Sequence, residues 1–386
     1  MEKKLKNLCI ISNGYPTKSR PVNAFVEQIV NQFSDNGIRC TVISPSSISK
    51  HYIRKVEKPK YNSEYKTEAG NIVEIYRPRY ISFSNRIFGF NTSSLTYYSF
   101  KKCVLREFKR RKMKFDAIYG HFIYPSGMCA VEIGEMYNIP SFIAYGECSP
   151  AEYNCISTKK IQKILNKVNG IISVSTENMR ELLKSKLITN DNKVKVFPNG
   201  IDTGRFFKVD KEVARKQLGL DNNIFIVACV GSFIRRKGIH ILSSALNLLE
   251  DVYSIFIGEG PEEPKCKNIL FQGTVPHDKI YLYLNAADAF VLPTQAEGCC
   301  NAIIEAMACG LPIISSDKPF NDDILNDTNS IRIDEKDVEA IKQAIVELKS
   351  NKDLRDDLSR GAILSASELS IQKRAEKIIE FMNSKI

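Results

Sequence analysis

The sequence predicts an α/β fold of two doubly wound halves, and three observations carry that prediction. Apolar runs of strand length alternate with stretches of helical spacing along most of the chain. The alternation runs, is interrupted by one polar segment, and starts again. At 386 residues the chain is also too long for one ordinary hydrophobic core.

Taken in order, "LKNLCIISNG" (5–14) reads as a strand ending in a glycine turn. "AFVEQIVNQFSDNG" has helical spacing and stops at Gly37, and "IRCTVISP" is the next strand. A β-α-β start implies a parallel sheet. The pattern returns in "FDAIYG", a helix near 126–138, "IPSFIAYG", "VNGIISVS", a helix near 176–186 and "NKVKVFPNG". "NGIDTGRFFKVDKEVARKQLGL" is polar and glycine-punctuated, so residues 199–222 read as a linker between a domain at 1–198 and a second at 223–368. The second series begins at "IFIVACVGS" (224–232). It continues through a helix near 238–249, "YSIFIGEG", "ILFQGTV", a helix near 277–286, "AFVLPT", a further helix and "LPIISSD". Sheets of this kind bind ligands beyond the carboxyl ends of their strands, and two of them facing each other make a cleft.

With 43% hydrophobic and 26% charged residues, the composition is that of a soluble globular protein. No apolar run approaches the roughly 18 residues of a membrane span, and the N-terminus is a poor secretory signal. Eleven cysteines lack paired metal spacing, and the adjacent Cys299 and Cys300 suit neither zinc nor an easy disulfide. They read as reduced thiols of a cytoplasmic protein. The net charge of +11 is uneven: residues 1–200 hold 32 Lys and Arg against 16 Asp and Glu, leaving 23 against 28 for the remainder. A half at +16 beside one at −5 points to an anionic partner for the first, and nucleic acid and an anionic membrane both qualify.

Two segments carry chemistry. In "VGSFIRRKGIHIL" a strand ends at Gly231, a basic loop follows, and a helix opens near Gly238. Free N–H groups at a helix start attract anions, and Lys237 with Arg235 or Arg236 adds charge-assisted bonds. The functional reading is a diphosphate clamp, and the plain one is a solvated basic turn. Neither a GxxxxGK[ST] nor a GxGxxG is present. In "TQAEGCCNAIIEAMACGLPII" (294–314), Glu297 stands in a loop before Gly298, with Asn301 as the expected N-cap and Gly310 as the stop of a short helix. Glu305 falls beside the apolar side of that helix, where a partly buried carboxylate needs donors. Ribose hydroxyls supply two, and loop N–H groups around Cys299 and Cys300 suit phosphate oxygens. A capped surface helix with solvated glutamates is the plain alternative.

"EGCCNAIIEAMACGLPII" resembles the E-x7-E motif of retaining glycosyltransferases of family 4, and "GSFIRRKG" the donor diphosphate loop of the same family. "FPNGIDTGRF" is similar to its interdomain segment, "FQGTVPHDKIYLYLNAADAFVLPT" to its base-binding stretch, and "HFIYPSGMCA" to its acceptor-side histidine segment. The resemblance spans nearly the whole chain and is strongest from about 195 to 316. It implies a GT-B fold, two Rossmann-like domains facing across a cleft, with residues 369–386 crossing back to the first domain. It further implies a nucleotide-sugar donor, expected to be UDP-linked, held by Gly231, Ser232, Arg236, Lys237, Gly273, Val275, Glu297, Gly298, Cys299, Cys300, Asn301 and Glu305. Glu305 would hold the ribose, Lys237 the diphosphate and Glu297 the donor sugar. His121 would stand near sugar and acceptor, with Glu297 and Lys237 as its catalytic companions.

The departures from the family are specific. Ser232 stands where relatives often have Arg, so Arg235 or Arg236 is left to supply the second positive charge. Asn23 stands where many have Gly; Asn is the next most tolerant residue for positive φ. "YGECSP" replaces a His-Gly-x-Asp stretch, which makes Tyr145 and Glu147 candidates beside Asn23 and His121 for reading the acceptor.

The resemblance implies front-face substitution, the leaving diphosphate itself taking the acceptor proton. No DxD pair stands at a strand end, so no metal ion and no other cofactor is expected, and "NDD" at 321–323 reads as a solvated turn. "FKKCVLREFKRRKMKF" (100–115), with Phe88, Phe90, Tyr97 and Tyr98 upstream, reads as a basic amphipathic stretch for an anionic bilayer or as an ordinary helix packed on the sheet. The acceptor expected there is a glycan or a polyprenyl-diphosphate-linked saccharide of bacterial capsule, O-antigen or lipopolysaccharide synthesis, with the protein peripheral at the inner face of the membrane. A non-catalytic sugar-binding or scaffold partner and a GT-B epimerase are the alternatives. A nucleic-acid binder accounts for the basic half but not for the acidic one.

Overall fold

The computed structural model describes residues 4–17, 23–49, 52, 58–83, 86–87, 90–147 and 156–386. They form two compact units, one of residues 1–197 and 375–386 and one of residues 198–374. Each has its own buried apolar core.

Leaving aside four two-residue strands, the first unit is built on an eight-stranded sheet. Its strands are β1 (Asn7–Ser12), β2 (Arg39–Ile43), β3 (Asn62–Lys66), β4 (Ile72–Tyr76), β5 (Ala117–His121), β6 (Ser141–Tyr145), β7 (Gly170–Ser173) and β8 (Val194–Val196). Their order is β8-β7-β6-β5-β1-β2-β4-β3, parallel except for the last pair. The chain leaves β1 through α1 (Ala24–Asp35) to β2 on one side and later fills the other side with β5, so the order reverses between β1 and β5. β5 and β6 are buried at every position, as strands covered on both faces are.

Helix α2 (Ser93–Arg111) settles the reading of the basic segment. Tyr97, Phe100 and Phe108 are buried in the core, and Leu105 packs against it, half-buried. Its cations Lys102, Arg106, Lys109, Arg110 and Arg111 face outward. The aromatic side of the stretch is therefore unavailable to a bilayer, apart from the exposed Tyr98. Phe88 lies outside the described residues, as does the side chain of Phe90. No described helix is long and apolar enough to cross a membrane.

The second unit carries a six-stranded parallel sheet of β9 (Phe225–Val230), β10 (Val252–Ile257), β11 (Ile269–Gly273), β12 (Ala289–Leu292), β13 (Ile313–Ser316) and β14 (Ser330–Ile333). Its order, β11-β10-β9-β12-β13-β14, is the doubly wound order of dinucleotide-binding sheets. The reversal falls between β9 and β12, which pair through Val227 and Ala289.

Residues 199–222 are part of this unit rather than a free connector. Ile201 and Phe206 are buried in its core. The Asp210 carboxylate accepts the Val213 N–H at 3.1 Å and caps the helix Lys211–Leu218. Arg215 of that helix is buried and donates to the Ala286 carbonyl at 2.8 Å and to Asp288 at 2.7 Å. A polar composition concealed these buried anchors. The last helix, Ile371–Asn383, belongs to both units. Its start is tied to Ile201 by the Ile371 N–H at 2.9 Å. Further on, Phe381 packs on Phe142 and Phe197, and the Asn383 side-chain Oδ1 accepts the Leu5 N–H at 2.8 Å.

Candidate functional site

In the second unit the loops that follow β9 and β12 meet at the switch point, where doubly wound sheets take their ligands. Two glycines bring the backbones together. A Cβ on Gly258 would lie 1.9 Å from the Gly231 carbonyl oxygen, and one on Gly238 2.2 Å from that of Pro293. Gly238 also takes φ 71°, where a side chain is strained. Between Gly231 and Gly238, Arg235–Lys237 form a single 3-10 turn. The turn points Arg236 and Lys237 one way and leaves Arg235 exposed.

Both inward cations meet one carboxylate. Glu297 Oε1 lies 2.6 Å from Lys237 Nζ and 3.1 Å from Arg236 Nη1, and it accepts the Thr294 hydroxyl at 2.7 Å. The Arg236 guanidinium also donates to the Ala296 carbonyl. The side chains of Glu297 and Lys237 are only 8% and 12% exposed. Burial alone would lower the Lys237 ammonium, but the negative charges of an ionised Cys300 and of Glu297 outweigh it and hold the group above its ordinary value. Burial pushes the Cys300 thiol itself up to about 11. At neutral pH the counter-charge of Lys237 is therefore Glu297. The site holds two cations against one anion, a net deficit suited to a phosphate group.

The segment from Gly298 to Asn301 leads into the helix α3 (Asn301–Ala308). Cys300, not Asn301, occupies the N-cap, because Asn301 turns outward and its Oδ1 accepts the Asn199 amide at 2.8 Å. Asn199 also donates its amide to the Cys299 carbonyl at 3.1 Å and its backbone N–H to Cys299 Sγ at 3.3 Å. Sequence reasoning missed Asn199 as the brace of this loop, since a hundred positions separate it from its partners. Cys300 Sγ lies 4.0 Å from Lys237 Nζ.

One helical turn further on, Glu305 is buried, and its Oε1 accepts from His277 Nε2 at 3.2 Å. His277 follows β11 on the loop that holds Gly273 and Val275, so that loop borders the carboxylate. Gly273 gives its carbonyl to the Gly258 N–H at 2.8 Å, and Val275 packs half-buried on the core. Ser232 is exposed in the first loop. The "NDD" segment is a turn, solvated in part: Asp322 is exposed and pairs with Arg332, whereas Asn321 is fully buried and donates to the Ser316 carbonyl at 2.9 Å.

In the first unit the corresponding switch point lies between β1 and β5, with Ser12 opposite His121. Asn23 takes φ 56° ahead of α1, and its amide donates to the Gly14 carbonyl at 3.3 Å. The His121 ring lies 5.3 Å from Phe25 and 4.7 Å from Phe122. Asn23 and His121 therefore share this end of the sheet. Tyr145 and Glu147 are buried, as the His121 ring is. Tyr145 ends a strand buried on both faces and has no exposed surface. The buried Glu147 carboxylate accepts the Ile123 N–H at 2.9 Å and the Gly146 N–H at 3.1 Å. It braces the turn after His121, where Phe122 takes φ 67°.

Comparison with known proteins places both units. Residues 22–205 match the family described as Glycosyltransferase Family 4, and residues 210–365 the family described as Glycosyl transferases group 1. A putative teichuronic acid biosynthesis glycosyltransferase, TuaC of Bacillus subtilis, is 28% identical over 90% of this chain and 91% of its own. A UDP-Gal:alpha-D-GlcNAc-diphosphoundecaprenol alpha-1,3-galactosyltransferase of Escherichia coli is 28% identical over 52% of this chain and 56% of its own. Among solved structures, Anabaena HepE in complex with UDP and glucose matches with a TM-score of 0.69 at 17% identity, over 98% of this chain and all of that one.

Proposed function

The chain belongs to the glycosyltransferases, a family 4 domain followed by a group 1 domain on a GT-B fold, and from that premise we propose that it moves a hexosyl or N-acetylhexosaminyl group from a UDP-sugar to a glycan or lipid-linked saccharide, with retention at the anomeric carbon. The observation that carries this reading is the convergence of Lys237 and Arg236 on Glu297 at a sheet switch point, with Glu305 on the helix that follows.

The chemistry follows from an exchange of partners. A donor diphosphate brings at least two negative charges to the two cations that Glu297 now holds. It competes with a single carboxylate, so Lys237 and Arg236 turn to the phosphate oxygens and Glu297 is released toward the sugar hydroxyls. Loop N–H groups from Gly298 to Cys300 add donors. As the bond from the anomeric carbon to the diphosphate breaks, negative charge grows on the leaving oxygen next to Lys237, where preorganised charge lowers the barrier. The acceptor oxygen bonds to the same face of that carbon, and its proton passes to the departing diphosphate. We assign the neutralisation of that leaving group to Lys237 and Arg236 themselves, and no metal ion is needed for it.

The acceptor is assigned to the first unit, at Asn23 and His121. The names of the B. subtilis and E. coli relatives support a cell-surface glycan or a polyprenyl-diphosphate-linked saccharide as the acceptor class. The outward cations of α2 support contact with an anionic membrane surface by charge rather than by insertion; near such a surface each contributes about 1 kcal/mol.

The test is a screen of UDP-, GDP- and ADP-linked sugars against lipid-linked saccharide acceptors, read by mass spectrometry. One donor is expected to release its nucleoside diphosphate and to extend an acceptor by one sugar. Release from none of them, with acceptors intact, rules out a transferase and leaves a scaffold.

A further inference from the structure

The Glu305 carboxylate is not held by its own helix; the group that touches it comes from the loop after β11. His277 Nε2 lies 3.2 Å from Oε1, and its ring stands edge-on to Phe206 at a centroid distance of 5.3 Å. Phe206 is buried in the core, so the imidazole has a fixed wall on one side and the carboxylate on the other. The His277 side chain is nonetheless 49% exposed, which leaves it open to solvent and to a ligand lying over Glu305. Each carboxylate oxygen accepts two hydrogen bonds, so His277 occupies one acceptor site in four and leaves both oxygens available.

We propose that His277 is a positioning residue for the donor: it orients Glu305 toward the two vicinal hydroxyls of the nucleotide's pentose, and its imidazolium adds positive charge beside an anionic ligand. The inference rests on the nucleotide-sugar reading above and names a residue that reading does not require. Without His277 the carboxylate would lose the side-chain contact that orients it, which would weaken a bidentate grip on a diol.

The electrostatics around the ring favour its charged form. The hydrogen bond to Glu305 comes first in holding His277 above its ordinary value, working against burial, and the charges of Glu305 and Asp278 add to it. Arg205 opposes, though its own guanidinium is paired with Asp202 at 3.0 Å. Because the value is raised, the imidazolium persists above the ordinary histidine range. The imidazolium charge is fully present below the ordinary histidine value and is lost as pH climbs through the raised one. Nucleotide affinity should therefore fall as pH rises through neutral.

UDP itself titrates in that window, so the test compares variants. Calorimetry of UDP binding is carried out across the range on wild type, His277→Gln and His277→Phe. His277→Gln keeps a side-chain N–H but carries no titrating charge; it should bind at low pH within a few-fold of wild type and lose the histidine-dependent part of the pH profile. His277→Phe should weaken binding about tenfold at neutral pH, and steady-state kinetics should place the loss in donor KM rather than in kcat. NMR should find the His277 titration shifted down toward the ordinary value in Glu305→Gln. Wild-type affinity in His277→Phe, or a wild-type pH profile in His277→Gln, overturns the role while leaving the nucleotide site intact. Wild type failing to bind UDP at every pH overturns the donor reading and this inference with it.

Discussion

Lys237→Ala is expected to lower kcat by about 100- to 1,000-fold, the cost of removing one preorganised charge from a developing anion. The magnitude follows from where the ammonium sits. It is nearly buried, 2.6 Å from Glu297, and held above its ordinary value, so it is cationic throughout the working range. Its removal leaves Arg236 as the remaining cation on Glu297, and Arg236 is further engaged with the Ala296 carbonyl. Lys237→Arg should not restore the rate, because a planar fork does not fit a pocket bounded by Cys300 and Gly231. Steady-state kinetics with the donor found in the screen provide the check, with circular dichroism to exclude misfolding. A kcat within threefold of wild type would remove Lys237 from the chemistry.

Glu305→Ala is expected to act on binding instead. Two hydrogen bonds to a charged carboxylate are each worth about 1.5–3 kcal/mol when lost, and partial compensation by water leaves a rise in donor KM of about 10- to 100-fold. The kcat should change far less, since the carboxylate meets the pentose equally in ground and transition states. A 2′-deoxy donor gives the sharper comparison. It should lose affinity for wild type and lose little more for Glu305→Ala, because the same contact is missing twice. Independent, additive losses would mean that Glu305 touches something other than the pentose.

The fold was legible because its signals are local. "IFIVACV" announces a buried strand, and β9 is buried from Phe225 to Val230. The helix expected near 126–138 is Met128–Tyr137, and residues 369–386 carry the helix Ile371–Asn383. What stayed hidden depends on partners distant along the chain. Polar residues from 199 to 222 read as a connector until Arg215 is seen donating to Ala286 and Asp288. The mixed cations and aromatics of 100–115 read equally as a membrane face, and only the packing of Phe100 and Phe108 decides between them.

At the candidate site the same division holds. Spacing placed Glu297 on a loop and Glu305 on a helix, and two of the cations after Gly231 pair with Glu297. Spacing could not say whether Arg235 or Arg236 turns inward, because that depends on the phase of a single 3-10 turn. Asn199 and His277 lie in segments that resemble the family, but nothing in those segments singles them out; each matters through the group that the fold brings to it. Tyr145 ends a strand and Glu147 stands just past it, where ligand-reading residues are common; that both are buried was not legible from their position.

One titration bears most directly on the claim that the second unit holds a nucleotide through its pentose and its phosphates. Isothermal calorimetry of the whole chain with UDP, GDP and ADP should give a saturable one-to-one exothermic isotherm with at least one of them, weakened by salt and by Glu305→Ala. No heat from any of the three at saturating concentration would contradict the claim.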